Sequence, residues 1–147
     1  MNKEELQERL AFYREHLYDN ILPFWLENGM DKEYGGYFTC FNSYGDQLVS
    51  TDKYVWSQGR MVWLLSKLAE MEEDPSEYLS LAQSGYEFLR DYSFLPSGHS
   101  AFLLTRDGTP KEPVKGQGYD TSTYADCFVV LGFSKYAAMR ENEEALD

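Results

Sequence analysis

One arginine stands among three aromatic residues in positions 52–63, a combination suited to recognition of a polar ring. At 3.6 residues per turn, a helix through this segment places basic and aromatic side chains on one face. The residues that share this face are Lys53, Trp56, Arg60, Trp63 and Lys67. Aromatic rings stack on the C–H faces of sugar-like rings, and a guanidinium offers five fixed N–H donors to hydroxyl or enolate oxygens. The pattern therefore predicts a pocket for a small ligand that is rich in oxygen.

Arg60 is the residue of this pattern best suited to take part in a reaction. Because arginine does not lose its proton near neutral pH, it cannot act as a base. It can stabilise negative charge that develops on the oxygens of a substrate. The alternative is an exposed helical arginine paired with an acid, and the residues alone do not decide between the two.

Five further side chains are candidate substrate-binding residues. They are Tyr54, Trp56, Gln58, Trp63 and Tyr124. Tryptophan at helical spacing most often belongs to a core, so we expect at least one of the two tryptophans to be structural. Tyr54 could instead cap the start of its helix. Tyr124 lies near the start of the last long predicted helix, and pocket and core remain equal alternatives for it.

Histidines and carboxylates give weaker signals. We interpret His16 and His99 as surface or capping residues. A glycoside hydrolase needs two carboxylates facing the scissile bond. The candidates Asp52, Asp120 and Asp126 form no recognisable pair. We interpret Asp126 as an exposed helical acid. Neither a metal-ligand spacing nor a glycine-rich phosphate loop is present in the sequence, so no cofactor is expected.

Charge and composition limit the classes of partner. The net charge of −12 argues against nucleic acid, whose phosphates would be repelled, and against anionic membrane surfaces. Two cysteines make no disulfide framework, which favours free thiols in a reducing compartment. The charged N-terminus does not resemble a signal peptide, and we therefore expect a cytoplasmic protein.

Apolar periodicity predicts the order helix, hairpin, helix, twice over. The first helix is expected over residues 3–28, with a capping box from Asn2 and Glu5 and a kink or break at Pro23. Its predicted buried stripe is Leu6, Leu10, Tyr13, Leu17 and Ile21. The second helix is expected over residues 54–71, and the third opens at Asp74-Pro75.

Two hairpins separate these helices, at residues 37–50 and 101–113. Their turn glycines are Gly45 and Gly108, and 108 − 45 = 63 positions lie between them. A repeat of this length, built from helices with inserted hairpins, favours a closed ring of helical hairpins. A fourth helix is expected over residues 121–139, and residues 142–147 look like the start of a fifth. The predicted stripe of the fourth helix is Tyr124, Phe128, Leu131, Lys135 and Ala138.

Several blocks, in order, resemble one family. They are Phe24-Trp25-Leu26-Glu27, residues 31–40, residues 52–63, residues 101–108 and Tyr124-Ala125-Asp126-Cys127-Phe128. Together they are similar to the N-terminal part of the N-acylglucosamine 2-epimerase family. The resemblance implies an α/α barrel of six helical hairpins, with the sugar pocket at one end of the inner helices. Four helices supply about the first third of such a ring, so we expect residues 1–147 to be the N-terminal piece of a longer domain.

The resemblance also implies roles for residues. Arg60 matches the arginine of the family's Gln-Gly-Arg motif, which contacts the sugar and is needed for activity. The family's two acid/base histidines lie beyond residue 147, and neither His16 nor His99 matches them. The implied activity is interconversion of N-acetylglucosamine and N-acetylmannosamine, or of a related aldose pair, through an enediolate. Family members are often dimers, and a homodimer is possible here.

Other functions stay open at this point. The 147 residues alone are expected to be inactive, since they lack the family's acid and base. A non-catalytic helical module that binds sugar or protein is one alternative, and a glycoside hydrolase on a similar helical barrel is another. Which sugar is bound does not follow from the sequence.

Overall fold

The computed structural model describes residues 2–140. The chain divides into two compact units, Met1–Met30 and Asp31–Asp147. The fifth helix predicted for residues 142–147 lies outside the described residues. No helix in the described part of the chain is long and apolar enough to cross a membrane.

The first unit is helical but interrupted. It contains α1 (Lys3–Glu15), a π-helical turn (His16–Ile21) and α2 (Leu22–Asn28). The predicted capping box is confirmed, since the Glu5 N–H donates to Asn2 Oδ1 at 2.8 Å and the Asn2 N–H donates to the Glu5 carboxylate at 2.9 Å.

The break in the first helix precedes Pro23. The N–H of Leu22 donates to the carbonyl of Leu17, five residues back, which is the π-helical pattern. Proline has no N–H to offer, and its ring would clash with the carbonyl four residues earlier in a regular α-helix. The wider π turn relieves that clash, so the predicted break occurs as a bulge on the N-terminal side of the proline.

The buried stripe predicted for the first helix is wrong within the described residues. Most of its members are exposed, namely Leu6, Leu10, Tyr13 and Ile21. Periodicity identifies an apolar face, whereas burial also requires a second surface to cover it.

Over residues 31–140, the second unit contains three long helices, α3 (Val55–Met71), α4 (Ser76–Tyr92) and α5 (Thr123–Arg140). The predicted starts of all three helices, and the predicted ends of α3 and α5, agree with the structure to within two residues. α3 packs extensively against both α5 and α4, whereas α4 and α5 contact each other sparingly. The fully buried core side chains of α3 are Val55, Val62, Leu65 and Leu68. α3 is therefore the central helix of this unit.

The face that α5 buries differs from the predicted one. The buried residues of α5 are Ala125, Val129, Gly132, Tyr136 and Ala137. Tyr124 and Leu131, which belong to the predicted stripe, are exposed. A Cβ on Gly132 would lie 2.6 Å from the carbonyl oxygen of Gly59, and a Cβ on Gly59 would lie 2.3 Å from the carbonyl oxygen of Phe128. The small-residue face is buried because it allows the backbones of α3 and α5 to touch.

The strands are short and form two sheets. β1 (Cys40–Phe41) pairs with β2 (Leu48–Ser50) in an antiparallel hairpin, as predicted. The first strand is shorter than predicted, and the pairing contains a bulge that was not predicted. The second sheet has the order β3 (Lys53–Tyr54), β4 (Leu103–Leu104) and β5 (Pro110–Lys111), all antiparallel. Gly45 and Gly108 both take positive φ, as the turn prediction requires. β3 was not predicted, because two residues at a helix start carry no strand periodicity.

A buried ion network fixes the loop formed by residues 31–36. Lys53 and Asp31 are both fully buried, and Lys53 Nζ donates to the Asp31 carboxylate at 3.0 Å. Lys53 also donates to the carbonyl oxygens of Gly35 (2.6 Å) and Arg106 (2.8 Å). The Arg106 guanidinium binds both oxygens of Asp31, each at 2.9 Å. We call Asp31, Lys53 and Arg106 the Asp31 network.

The Asp31 network shifts the titration of its members. Burial alone would raise the pKa of the Asp31 carboxyl, but hydrogen bonds from Arg106, Lys53 and two main-chain N–H groups hold it well below its ordinary value. Burial lowers the pKa of Lys53 by more than its pairing with Asp31 raises it. The difference arises because the carboxylate has two cationic partners, while the ammonium shares one carboxylate with Arg106.

Candidate functional site

A pocket of about 260 Å³ opens where the first turns of α3 and α5 meet. Trp56 and Arg60 come from α3, four residues apart, and Tyr124 and Phe128 come from α5 with the same spacing. Residues four apart lie on one face of a helix, so each helix presents a pair of side chains to the same space. The close approach at Gly59 and Gly132 brings the two pairs together.

The Arg60 guanidinium contacts two aromatic rings. Its Cζ is 4.6 Å from the centroid of the Trp56 ring and 4.0 Å from that of Phe128. Cation–π contacts with both rings restrain the guanidinium. In the described part of the chain, Arg60 makes neither a hydrogen bond nor an ion pair. Its N–H donors are consequently available to a ligand.

The second sheet supplies another wall of the pocket. Phe102 immediately precedes β4, and its carbonyl accepts a hydrogen bond from the Val55 N–H at 3.1 Å. The Phe102 N–H donates to the Tyr119 carbonyl at 2.6 Å. These two main-chain bonds hold Phe102 between the start of α3 and the segment before α5. Ser122, from that segment, adds the one small hydroxyl to the lining.

The structure brings together three of the six predicted site residues, Trp56, Arg60 and Tyr124. Tyr54 does not line the pocket, but its ring makes an edge contact with the lining residue Phe102, at 5.6 Å between centroids. Trp63 lies two turns further along α3 and does not line the pocket.

Gln58 is fully buried and does not line the pocket. Its side-chain amide accepts from the Tyr37 N–H and donates to the Tyr37 carbonyl, both at 2.8 Å. This two-bond clamp anchors the first hairpin segment to α3. Lys53 does not lie on the predicted ligand-facing surface, because it belongs to β3 and its ammonium group is bound within the Asp31 network.

His99 and Asp126 form a pair and do not line the pocket. His99 Nδ1 lies 3.2 Å from the Asp126 carboxylate, which also accepts the Ser100 N–H at 2.6 Å. Burial would raise the pKa of Asp126, but these hydrogen bonds lower it below its ordinary value. Asp126 is thus a loop anchor, not the freely solvated acid that the sequence suggested.

Sequence reasoning missed three lining residues, Phe102, Ser122 and Phe128. Phe128 could have been found from its spacing of four to Tyr124. Phe102 and Ser122 carry no local signal, since their positions depend on pairing between distant segments.

The chemistry available in this pocket is binding and charge stabilisation. A guanidinium with free donors, aromatic walls and two hydroxyls can hold a ring that carries oxygens and can stabilise an oxyanion. Trp56 Nε1 is buried without a hydrogen-bond partner among the described residues, and an unpaired buried donor costs about 1–3 kcal/mol. None of the lining residues is a histidine or a carboxylate.

Known proteins match both the sequence and the fold. The family model for N-acylglucosamine 2-epimerase (GlcNAc 2-epimerase) matches residues 36–147. N-acylglucosamine 2-epimerase from Bos taurus is 36% identical over 139 residues, which is 90% of this chain and 31% of the relative. Cellobiose 2-epimerase from Ruminococcus albus is 31% identical over 138 residues, 90% of this chain and 32% of the relative.

The solved structure of cellobiose 2-epimerase from Bacillus thermoamylovorans B4167 superimposes with a TM-score of 0.79 at 26% identity. The match covers 96% of this chain and 34% of that structure. The predicted fold class, an α/α toroid of which this chain spans about a third, is confirmed. The chain belongs to the N-acylglucosamine 2-epimerase family.

Proposed function

We propose that the pocket is the arginine-bearing part of the active site of a sugar 2-epimerase. The observation that carries the proposal is the Arg60 guanidinium, which contacts the rings of Trp56 and Phe128 and has its donors unpaired among the described residues. Such a group is suited to the oxygens of an enediolate, whose negative charge it stabilises as it forms.

The proposed reaction removes the proton at C2, next to the C1 carbonyl of the open-chain sugar. An enediolate forms, and the proton returns to the opposite face of C2, which inverts that carbon. Arg60 binds the developing oxyanion, and the aromatic side chains hold the sugar. The acid and the base would come from residues beyond this chain, which spans about a third of the length of the relatives it matches.

An N-acylglucosamine is the proposed substrate, interconverted with the corresponding N-acylmannosamine. The N-acylglucosamine 2-epimerase relative is more similar to this chain, at 36% identity, than the cellobiose 2-epimerase relative, at 31%. A glycoside hydrolase is less well supported, because Asp52 is bound to Lys111 at 2.6 Å and Asp126 anchors a loop.

The test is exchange of the C2 proton of N-acetylmannosamine in heavy water, followed by NMR, with the full-length protein that contains these residues. Arg60→Ala should lower kcat by about 10²–10³, the usual cost of losing one oxyanion donor. Arg60→Lys should restore only part of the rate, since it lacks the planar fork.

Arg9→Ala is the matched control, because Arg9 is an exposed arginine on α1. It should leave exchange unchanged. Wild-type turnover in a folded Arg60→Ala variant would overturn the proposal. Release of reducing sugar from an oligosaccharide, without exchange at C2, would favour hydrolysis instead.

A further inference from the structure

A second concave site lies along α4, and it is distinct from the candidate pocket. It is a groove of about 460 Å³ between the loop of residues 31–36 and α4, and it shares no lining residue with the pocket. This volume falls within the range of roughly 300–1,000 Å³ that is usual for small-molecule sites. The polar residues and tyrosines that line it are Tyr34, Ser80, Gln83, Ser84, Glu87, Asp91 and Tyr92.

The groove offers both donors and acceptors. Ser84 Oγ accepts the Gly36 N–H at 3.2 Å, which leaves the hydroxyl proton to donate. Gln83 gives one amide N–H to Glu87 at 2.8 Å and keeps a second. The Glu87 carboxylate accepts the Gln83 N–H, and both oxygens of Asp91 accept from the neighbouring Arg90, at 2.7 and 3.2 Å. Each carboxylate keeps further lone pairs as acceptors. A simple cation would use the acceptors alone, whereas a polyhydroxylated ligand uses both kinds of group.

Tyrosine rings flank these polar groups. Tyr34 and Tyr92 are both substantially exposed. The Arg106 guanidinium lies 5.1 Å from the Tyr34 ring centroid and supports that ring from the protein side. Tyr92 rests against Gly108, where a Cβ would come within 2.3 Å of the ring. Exposed and supported aromatic rings are suited to stacking on the C–H surface of a sugar.

The loop wall is fixed before any ligand arrives. Lys53 holds the carbonyl of Gly35, Ser84 holds the N–H of Gly36, and Arg106 holds Asp31. Because the Asp31 network already orders this loop, binding in the groove costs little additional conformational entropy.

We propose that this groove binds a neutral polyhydroxylated ligand, a saccharide unit, as a site separate from the candidate pocket. The inference does not rest on the proposed epimerase function. It rests on the paired donors and acceptors, the two supported tyrosine rings and the preordered loop.

The experiment is a titration of the full-length protein, carrying isotope-labelled glycine, with cellobiose and separately with N-acetylglucosamine. The Gly36 amide reports the groove, and the Gly59 amide, next to Arg60, reports the candidate pocket. We expect a saturable shift at Gly36 in the wild type and in Arg60→Ala. Glu87→Gln should weaken the Gly36 response about tenfold, because a hydrogen bond to a charged acceptor is lost.

Two further variants make the test specific. Glu77→Gln makes the same change on the same helix at an exposed site outside the groove, and it should have no effect. Ser80→Trp fills the groove from an exposed helical position and should abolish the response at Gly36.

Several outcomes would overturn the groove assignment. These are a response confined to Gly59, a response at Gly36 that does not saturate, and equal weakening in Glu77→Gln and Glu87→Gln. A tighter response at Gly36 to ethylammonium than to either sugar would show a cation site instead. None of these outcomes bears on turnover at Arg60, which is measured separately by exchange at C2.

Discussion

At the scale of single residues, two charged sites in the second unit differ in how their charges are satisfied. Arg60 keeps its donors unpaired among the described residues and is held by aromatic rings. Asp31 and Lys53 are fully buried and satisfied by each other, by Arg106 and by main-chain carbonyls. A buried charge that is fully paired has a structural role, whereas a restrained and unpaired one is available for binding.

Asp31→Asn should destabilise the protein by about 3 kcal/mol at neutral pH, because it leaves the buried Lys53 ammonium without its carboxylate. The folded-state pKa of Asp31 is lowered, so its contribution is present above the unfolded value of about 3.9. That contribution is lost as the pH falls through the lower folded-state value. Denaturant unfolding at a series of pH values should therefore show that the unfolding free energies of wild type and variant begin to converge as the pH falls below about 4.

Asp52→Asn is the control for this experiment. Asp52 also pairs with a lysine, Lys111, but both side chains are partly exposed. Its loss should cost no more than about 1 kcal/mol. Equal costs for the two variants at neutral pH would contradict the structural role assigned to Asp31.

At the scale of elements, the contact between α3 and α5 determines the geometry of the pocket. Gly59 and Gly132 allow the two backbones to touch. The pocket residues of each helix lie within two turns of this contact. Phe128 reaches Arg60 because its own carbonyl lies against Gly59. The close packing of the two helices therefore also places the Phe128 ring against the Arg60 guanidinium.

Gly59→Ala should destabilise the protein, although alanine is the better helix former by about 1 kcal/mol. The new methyl group would meet the Phe128 carbonyl at 2.3 Å, so the helices must separate. Overpacking of this kind costs about 1–3 kcal/mol, and displacing Phe128 should also lower turnover. Thermal unfolding and the C2 exchange assay measure the two effects.

Ser134→Ala, on the exposed face of α5, is the matched control for helix propensity. It should change stability by no more than a few tenths of a kcal/mol. If Gly59→Ala proved more stable than the wild type, the close contact between α3 and α5 would be disproved.

At the scale of the whole molecule, apolar side chains remain uncovered in the described residues. Tyr124 is 69% exposed and Val130 is 66% exposed, on a helix that is apolar around most of its circumference. A helix of that composition is typical of a protein interior. A chain limited to these 147 residues should therefore bind an apolar dye such as ANS and associate as its concentration rises.

Val130→Lys should reduce both dye binding and association, because it places a charge in the middle of the exposed apolar face. Lys3→Met, near the start of α1, changes charge by the same amount in the opposite sense and should not reduce either. Dye fluorescence and sedimentation velocity are the measurements. A monomer that binds no dye at high concentration would contradict the prediction.

The family, the helix positions and the turn glycines followed from the sequence, because each depends on local spacing or on contiguous motifs. The same motifs make Arg60 the leading candidate for a role in the site. Gly45 and Gly108 marked turns through their backbone freedom, and helix periodicity placed Trp56 beside Arg60. Whether Arg60 acts in catalysis is the subject of the exchange experiment.

Tertiary structure decided which helix faces are buried and which charged side chains are paired inside the protein. Backbone contact between two helices selected the small-residue face of α5, against the bulkier stripe that periodicity favours. Pairing between β3 and β4 drew Lys53 into a buried network with Asp31 and Arg106, residues separated by 22 and 53 positions from it. Gln58 became a clamp on Tyr37 and not a pocket wall for the same reason. Local sequence determines which secondary structure a segment can form. Burial of its faces and pairing of its charges depend on which distant segments pack against it.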